Sequence, residues 1–232
     1  MEYTLYWNSK EEGILTFLDS DKIEWLSLNI FLLGEEAELV IKQGSIVDKC
    51  KQLSTICGKL LEALEDCIWK AFSLLWEKGI EEVFLVDKRA EPLIQVLKEA
   101  GIIEHVYSEY MMKRKFSTED RLPNAFIEIV TGEEGFICEN KEKSFFCRLL
   151  PYQENNSFYL YEVEVVETMR NHGIAANCLQ QLFSELVKKS GTAKEVTIYL
   201  QVGSYNQPAI HLYQKLGFEL SEEICYNVIK EE

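Results

Sequence analysis

Residues 159–166 form an apolar, strand-like run that leads through a glycine turn into a helix, and this succession limits the folds open to the chain. The turn is Arg170-Asn171-His172-Gly173-Ile174-Ala175, and beyond it Ala175, Leu179, Leu182, Phe183 and Leu186 recur on one helical face. Where a strand enters a helix in this way, the first backbone N–H groups of the helix lack internal partners and point outward at the positive end of its dipole. They make a socket for phosphate. Gly173 lets the backbone approach a ligand with no Cβ in the way, the small Ala175 keeps the next turn open, and Arg170 adds a fixed positive charge. The pattern R-x-x-G-x-A by itself also describes an ordinary helix start, so its meaning depends on the residues downstream of it.

After a strand-like run at 195–202 comes the segment 206–218, which has the form N-x-x-A-x-x-L-Y-x-K-x-G-F. Pro208 suits a first helical turn, Ala209, Leu212, Tyr213 and Leu216 share an apolar face, and Gly217 suits the stop. Leu212 and Leu216 are core residues on this reading. Tyr213 can be core as well, but a buried phenol must find a hydrogen-bond partner and is a costly way to fill space. The segment resembles the acetyl-coenzyme A helix of the GNAT acetyltransferase superfamily, and R-x-x-G-x-A resembles that family's pyrophosphate loop. The two stand in the family's order and spacing.

The rest of the chain is consistent with a folded protein of one large or two ordinary domains. It has 232 residues, of which 47% are hydrophobic. A formal net charge of −15 argues against nucleic acid and against an anionic membrane surface as partners, and favours a cationic acceptor, although solubility alone accounts for most acidic proteins. Seven cysteines without a C-x-x-C pair, alongside three histidines, are expected to be reduced and mostly buried, in a cytoplasmic protein without a bound metal. No signal peptide is expected, since no basic stretch precedes an apolar one at the start.

Residues 4–21 are expected to be a helix packing aromatic side chains, 24–33 and 37–42 a hairpin, and 47–78 one long helix ended by Gly79. A strand at 82–86, a helix at 91–100 closed by Gly101 and a strand at 105–112 come next. The order strand, helix, glycine, strand is that of the C-terminal half. Pro92 and Pro208, and Gly101 and Gly217, are separated by the same 116 positions (208 − 92 and 217 − 101), which suggests a duplication. In the N-terminal copy Ala90 stands in place of Asn206, Leu93 in place of Ala209 and Leu97 in place of Tyr213, and the nearest remnant of the glycine loop is Cys57-Gly58-Lys59. The polar stretch 113–124 is the expected linker, placing a degenerate unit at 1–116 and a catalytic one at 117–232. Strands are expected at 126–130, 135–139, 144–150, 157–166 and 224–229, with turns at 132–134, 140–142 and 153–156.

The resemblance implies an α/β (α+β) fold of two GNAT-like units, each a mixed, mostly antiparallel sheet flanked by helices, whose fourth strand splays from the fifth to admit the pantetheine arm. It implies that the backbone of Val163 and Val165 holds pantetheine, and that the loop of Arg170, Asn171, His172, Gly173, Ile174, Ala175 and Ala176 takes the pyrophosphate. Asn206 is then expected to contact the pantetheine arm and Tyr213 to protonate the leaving thiolate. Glu162 and Glu164, beside the expected cleft, are candidate bases for the amine, or simply solvated strand glutamates. Family members that acetylate protein N-termini often carry a glutamate where this chain has Gln201, and an amide cannot act as a base. The expected activity is direct transfer of the acetyl group of acetyl-CoA, as co-substrate, to the primary amine of a small molecule or peptide, by a monomer or homodimer. The alternative is a non-catalytic acyl-CoA binding or sensing protein, which needs the phosphate loop but not the acid.

Overall fold

A computed structural model describes residues 1–52, 58–88, 91–117, 127–131, 135–152, 155–190 and 195–230. Its strands are β1 (Glu2–Trp7), β2 (Glu12–Leu18), β3 (Glu24–Leu33), β4 (Glu36–Gln43), β5 (Glu82–Asp87), β6 (Ile103–Ser117), β7 (Ile127–Thr131), β8 (Phe136–Asn140), β9 (Phe145–Pro151), β10 (Ser157–Val165), β11 (Glu195–Gly203) and β12 (Glu219–Ile229). The helices are α1 (Ser45–Gln52), α2 (Gly58–Trp76), α3 (Pro92–Glu99), α4 (Ile174–Lys189) and α5 (Gln207–Lys215). This is a mixed α/β fold.

Two expectations change. Residues 4–21 are strands, not a helix: Gly13, Leu15 and Phe17 alternate with half-exposed neighbours, and Leu15 and Phe17 are buried. The period of two is obscured by aromatic residues at 3, 6 and 7 that would suit either element. The long helix expected over 47–78 is α1 and α2, with 53–57 outside the described residues. The turns at 132–134 and 153–154, and the linker positions 118–124, also lie outside them. The preceding linker positions, 113–117, belong to β6, where Lys113 to Ser117 pair with Tyr199 to Glu195.

The chain forms two compact units, Met1–Ser108 with Ile224–Glu232, and Glu109–Glu223, so that β6 and β12 each contribute residues to both. In the first unit β1 to β5 succeed one another in the sheet, with β4 and β5 parallel over Glu36–Val40 and Glu82–Val86. Its core joins Leu15, Leu28 and Leu39 from the sheet to Leu64, Ile68 and Phe72 of α2.

In the second unit the strand order is β6, β11, β10, β9, β8, β7. All these pairs are antiparallel except β10 with β11. The core lies between this sheet and α4: Leu179, Leu182, Phe183 and Leu186 of the helix are buried against Phe116, Leu149, Leu160, Ile198 and Leu200. Phe183 stacks obliquely on Phe116 at 4.3 Å. Cys138 and Cys147 are direct partners across β8 and β9 and, with Cys178 of α4, are buried thiols of this core. Among the described residues no helix is long and apolar enough to cross a membrane.

Candidate active site

The site of the second unit starts from a one-residue irregularity in β10. Tyr161 lies opposite Arg148 and Glu164 opposite Phe146, so three steps along β10 match two along β9. Glu162, with φ of 49°, is the extra residue of a β-bulge. The insertion exchanges the faces of the strand. Before it, Phe158 and Leu160 face α4 and the core; after it, Val163 and Val165 do.

The same point ends the pairing with β11. The parallel ladder covers only Ser157–Leu160 against Thr197–Leu200, whereas β10 runs on to Val165 and β11 to Gly203. Beyond Leu160 and Leu200 the two strands part. A cleft of about 1210 Å³ opens there, lined by Val163, Glu164 and Val165 on one side and by Asn206, Ala209, Leu212 and Tyr213 on the other.

One end of the cleft is the expected phosphate socket. After β10 a short 3-10 turn, Glu167–Met169, leads to Arg170, whose Nε donates to the carbonyl of Val165 at 3.1 Å and so ties the loop back to the strand end. Asn171 (φ 65°) and Gly173 (φ 76°) are both left-handed, and Gly173 is the N-cap of α4. The first intrahelical bond runs from Asn177 N–H to the Gly173 carbonyl at 3.0 Å, so the amides of Ile174, Ala175 and Ala176 precede the helical ladder. No side chain caps this end, and the first turn of α4 has no acidic residue. A Cβ built on Gly173 meets nothing within 4 Å, so the loop is open outward. Lys188 and Lys189 lie in the last turn, at the negative end of the dipole.

The other wall is α5. Asn206 caps it, its side-chain oxygen accepting from Ala209 N–H at 3.3 Å, with Pro208 in the first turn. The helix stops in a Schellman turn: Gly217 N–H bonds to the Gln214 carbonyl at 2.8 Å and Phe218 N–H to the Tyr213 carbonyl at 2.9 Å. The turn brings Phe218 onto the ring of Tyr213, edge-on at 5.7 Å. Helix stop and phenol orientation are therefore one arrangement. Tyr213 is only 7% exposed, and among the described residues its hydroxyl has no hydrogen-bond partner. Burial, followed by the neighbouring Cys147 and Tyr159, pushes its pKa up to about 12. It is a phenol that keeps its proton.

The expected site residues thus divide. Val163, Glu164, Val165, Arg170, Asn171, Gly173, Ile174, Ala175, Ala176, Asn206 and Tyr213 line the cleft. His172 and Glu162 do not. His172 is exposed, and Glu162, the bulge residue, is engaged by Arg148 Nε at 2.9 Å. In the first unit α3 ends in the same Schellman pattern at Gly101, with Ile102 N–H bonded to the carbonyl of Leu97, which occupies the place Tyr213 has in α5.

Strands that part beside a capless helix start leave a cleft with an anion-binding end and a buried phenol in its wall. A sequence profile of the Acetyltransferase (GNAT) family matches residues 102–218. The chain belongs to the GNAT acetyltransferase family. No match is found among curated proteins. Solved structures resemble it over nearly its full length. A GCN5-related N-acetyltransferase from Sphaerobacter thermophilus has a TM-score of 0.60 at 12% identity, covering 95% of this chain and 81% of that one. A GNAT-family acetyltransferase from Colwellia psychrerythraea has a TM-score of 0.57 at 15% identity, covering 94% and 86%. A tandem GNAT protein from the clavulanic acid biosynthesis pathway has a TM-score of 0.58 at 9% identity, covering 95% and 83%. At these identities the likeness concerns the fold.

Proposed function

We propose that this protein is an N-acetyltransferase that moves the acetyl group of acetyl-CoA to a primary amine by direct attack, with its chemistry in the second unit and a first unit that has lost it. The observation that carries this reading is Tyr213, a buried, protonated phenol without a hydrogen-bond partner among the described residues, set in the wall of the cleft. A purely coenzyme-binding protein has no use for a proton donor held at this point of the cleft wall.

The residues present fit the coenzyme. The open loop at Gly173 and the amides of Ile174, Ala175 and Ala176 suit its pyrophosphate, with Arg170 alongside, and the stretch of β10 at Val163 and Val165, which is not paired with β11, suits its amide-bearing arm. The coenzyme supplies an activated thioester. The protein supplies position and charge: the loop fixes the carrier, the β10 edge donates to the carbonyl oxygen, and Tyr213 donates its hydroxyl hydrogen toward the departing sulfur. With a pKa of about 12, Tyr213 does not release its proton ahead of the bond cleavage. An acid some three units weaker than a thiol would lose about 4–5 kcal/mol by full early transfer, so it acts first as a hydrogen-bond donor. Asn206, already committed to capping α5, has its amide nitrogen left for the arm.

The test is calorimetric titration with coenzyme A and acetyl-CoA, followed by thiol release from acetyl-CoA in the presence of primary amines. Binding together with amine-dependent release is expected. Binding without release by any amine would favour the sensing alternative; absence of binding would remove both.

A further inference from the structure

The face of the second unit's sheet opposite α4 carries a row of tyrosines ending at a carboxylate. Tyr159 and Tyr199 are direct partners in the last paired stretch of β10 and β11, and both face away from the core that holds Leu160 and Leu200. The Tyr152 ring packs on both, at 5.7 Å from Tyr159 and 4.8 Å from Tyr199, and Tyr161 stacks on Tyr159 at 6.3 Å. The next outward-facing residue of β11 is Gln201, the first beyond the point where the strands part. Its amide donates to the carboxylate of Glu109, on the neighbouring strand β6.

We infer that Glu109, oriented by Gln201, is the base that takes the proton of the acceptor amine, and that the tyrosine row binds an acceptor whose single ammonium group is carried on a flat, apolar body. This rests on the acetyltransferase reading above. At the fork the two sheet faces meet. The thioester lies on the α4 side, where the cleft is, and an amine arriving from the other face meets Glu109 and Gln201 first.

Charge and surface decide the class of amine. A tyrosine ring attracts an ammonium group through its face and stacks on a flat group equally well. Glu109 stands at the fork end of β6, whereas Lys113 and Lys115, on the same face of that strand opposite Tyr199 and Thr197, stand at the far end. A second cationic centre beside Tyr199 would meet Lys113, its direct partner on β6, whereas a flat uncharged group stacks on the Tyr199 and Tyr159 rings with no charge to oppose; the Glu222 carboxylate that helps raise Tyr152 lies beyond them, at the Tyr152 end of the row. Glu109 also contributes to holding the Tyr159 phenol up, at about 12, after burial as the larger cause, so its charge lies close to that ring.

The step balances without a further reactant. The ammonium gives one proton to the Glu109 carboxylate, the freed nitrogen pair forms the C–N bond at the carbonyl carbon, and the C–S bond breaks with its electrons on sulfur. Sulfur takes the Tyr213 proton. The nitrogen, cationic once bonded to carbon, gives its second proton to solvent as the C–S bond breaks, Tyr213 is reprotonated from solvent and Glu109 releases its proton there, so one proton in all is lost per amide and thiol formed.

The experiment titrates 2-phenylethylamine and, separately, spermidine into the full chain saturated with coenzyme A, and then measures thiol release from acetyl-CoA with each. Expected are binding and release with 2-phenylethylamine, at least tenfold better than with spermidine. Glu109→Gln should lower release by roughly 10²- to 10⁴-fold with coenzyme A affinity unchanged. Gln201→Ala should lower it less, by about tenfold, and move the acid-side limb of the pH profile, where the base loses its proton, to higher pH, which a merely structural change would leave in place. A preference for spermidine, failure of both amines to bind the coenzyme A complex, or full release in Glu109→Gln with loss in Glu164→Gln would each overturn the inference. The last two outcomes leave coenzyme binding intact; failure of coenzyme A itself to bind would instead overturn the acetyltransferase reading and this inference with it.

Discussion

Gly173→Glu, read beside Gly173→Ala, separates the two jobs of the loop. At φ 76° any residue with a Cβ strains the backbone, by about 1–2 kcal/mol, and both variants should lose stability by that amount. Sterics add nothing, because a Cβ there meets no atom within 4 Å. The glutamate should even recover a few tenths of a kcal/mol, since it sits at the positive end of α4, whose first turn holds no carboxylate. Its effect on a bound pyrophosphate is opposite in sign. Two unit charges about 4 Å apart repel by about 1 kcal/mol in water and about 4 kcal/mol at the dielectric typical of a protein surface. The exposed loop lies between these limits, so coenzyme A affinity should fall about 10- to 10³-fold further in Gly173→Glu than in Gly173→Ala. Calorimetric titration of both variants, with thermal melts in parallel, measures this. The gap should narrow as salt is raised, because the charges are exposed. Equal affinity in the two variants, at equal stability, would refute anion binding by the loop.

Four further outcomes are expected. Tyr213→Phe should reduce turnover by roughly 10²- to 10⁴-fold with little change in coenzyme affinity, checked by single-turnover thiol release. Burial raises Tyr213 from 10.0 to about 12, so the unfolded chain loses this proton first and stability falls as pH rises from 10 to 12, by about 2–3 kcal/mol; denaturant titrations should find that part of the slope missing in Tyr213→Phe. Asn206→Ala should cost about 1 kcal/mol of stability through the lost cap, and weaken coenzyme A binding only if its amide also holds the arm. Glu162→Gly should gain about 1 kcal/mol at φ 49° and lose an exposed ion pair worth about as much, so its coenzyme A binding, measured by calorimetric titration, should match that of the parent.

Local chemistry was legible in the sequence because each signal was contiguous. Gly173 announces a left-handed cap, Pro208 a first turn, and Gly217 a stop, and all three stand where the residues placed them. The bulge was not legible. Residues 162–165 alternate Glu, Val, Glu, Val, which gives Glu162 and Glu164 equal standing in a regular strand, and only the partner strand shows that one residue is extra. Glu109 was missed for a different reason. It lies 92 positions from Gln201 and joins it only through the pairing of β6 with β11, although tyrosines at 159, 161 and 199 gave a period-two signal for an aromatic sheet face. The N-terminal strands were obscured by aromatic residues that suit both helix and strand, while the alternation through Gly13, Leu15 and Phe17 was present to be counted.

A bulge and a helix stop alone do not make the site, and the first unit supplies the control. There β4 pairs with β5 only as far as Val40 and runs on to Gln43, with its own irregularity between Ser27 and Leu28, where Gln43 and Ile41 are the partners. The first unit thus has the corresponding bulge and the corresponding end of a parallel ladder. Yet α1 begins at Ser45 with Asp48 in its first turn, a carboxylate at the positive helix end where a phosphate would have to lie. At the end of α3 the Schellman turn that in α5 presents a phenol presents Leu97, fully buried. The backbone thus repeats the bulge and the helix stop in both units, and four side-chain choices decide whether they carry chemistry. Arg170, Gly173 and an acid-free first turn make an anion site, and Tyr213 makes it reactive; a unit that keeps the hydrogen bonds but exchanges those residues retains the architecture and loses the reaction.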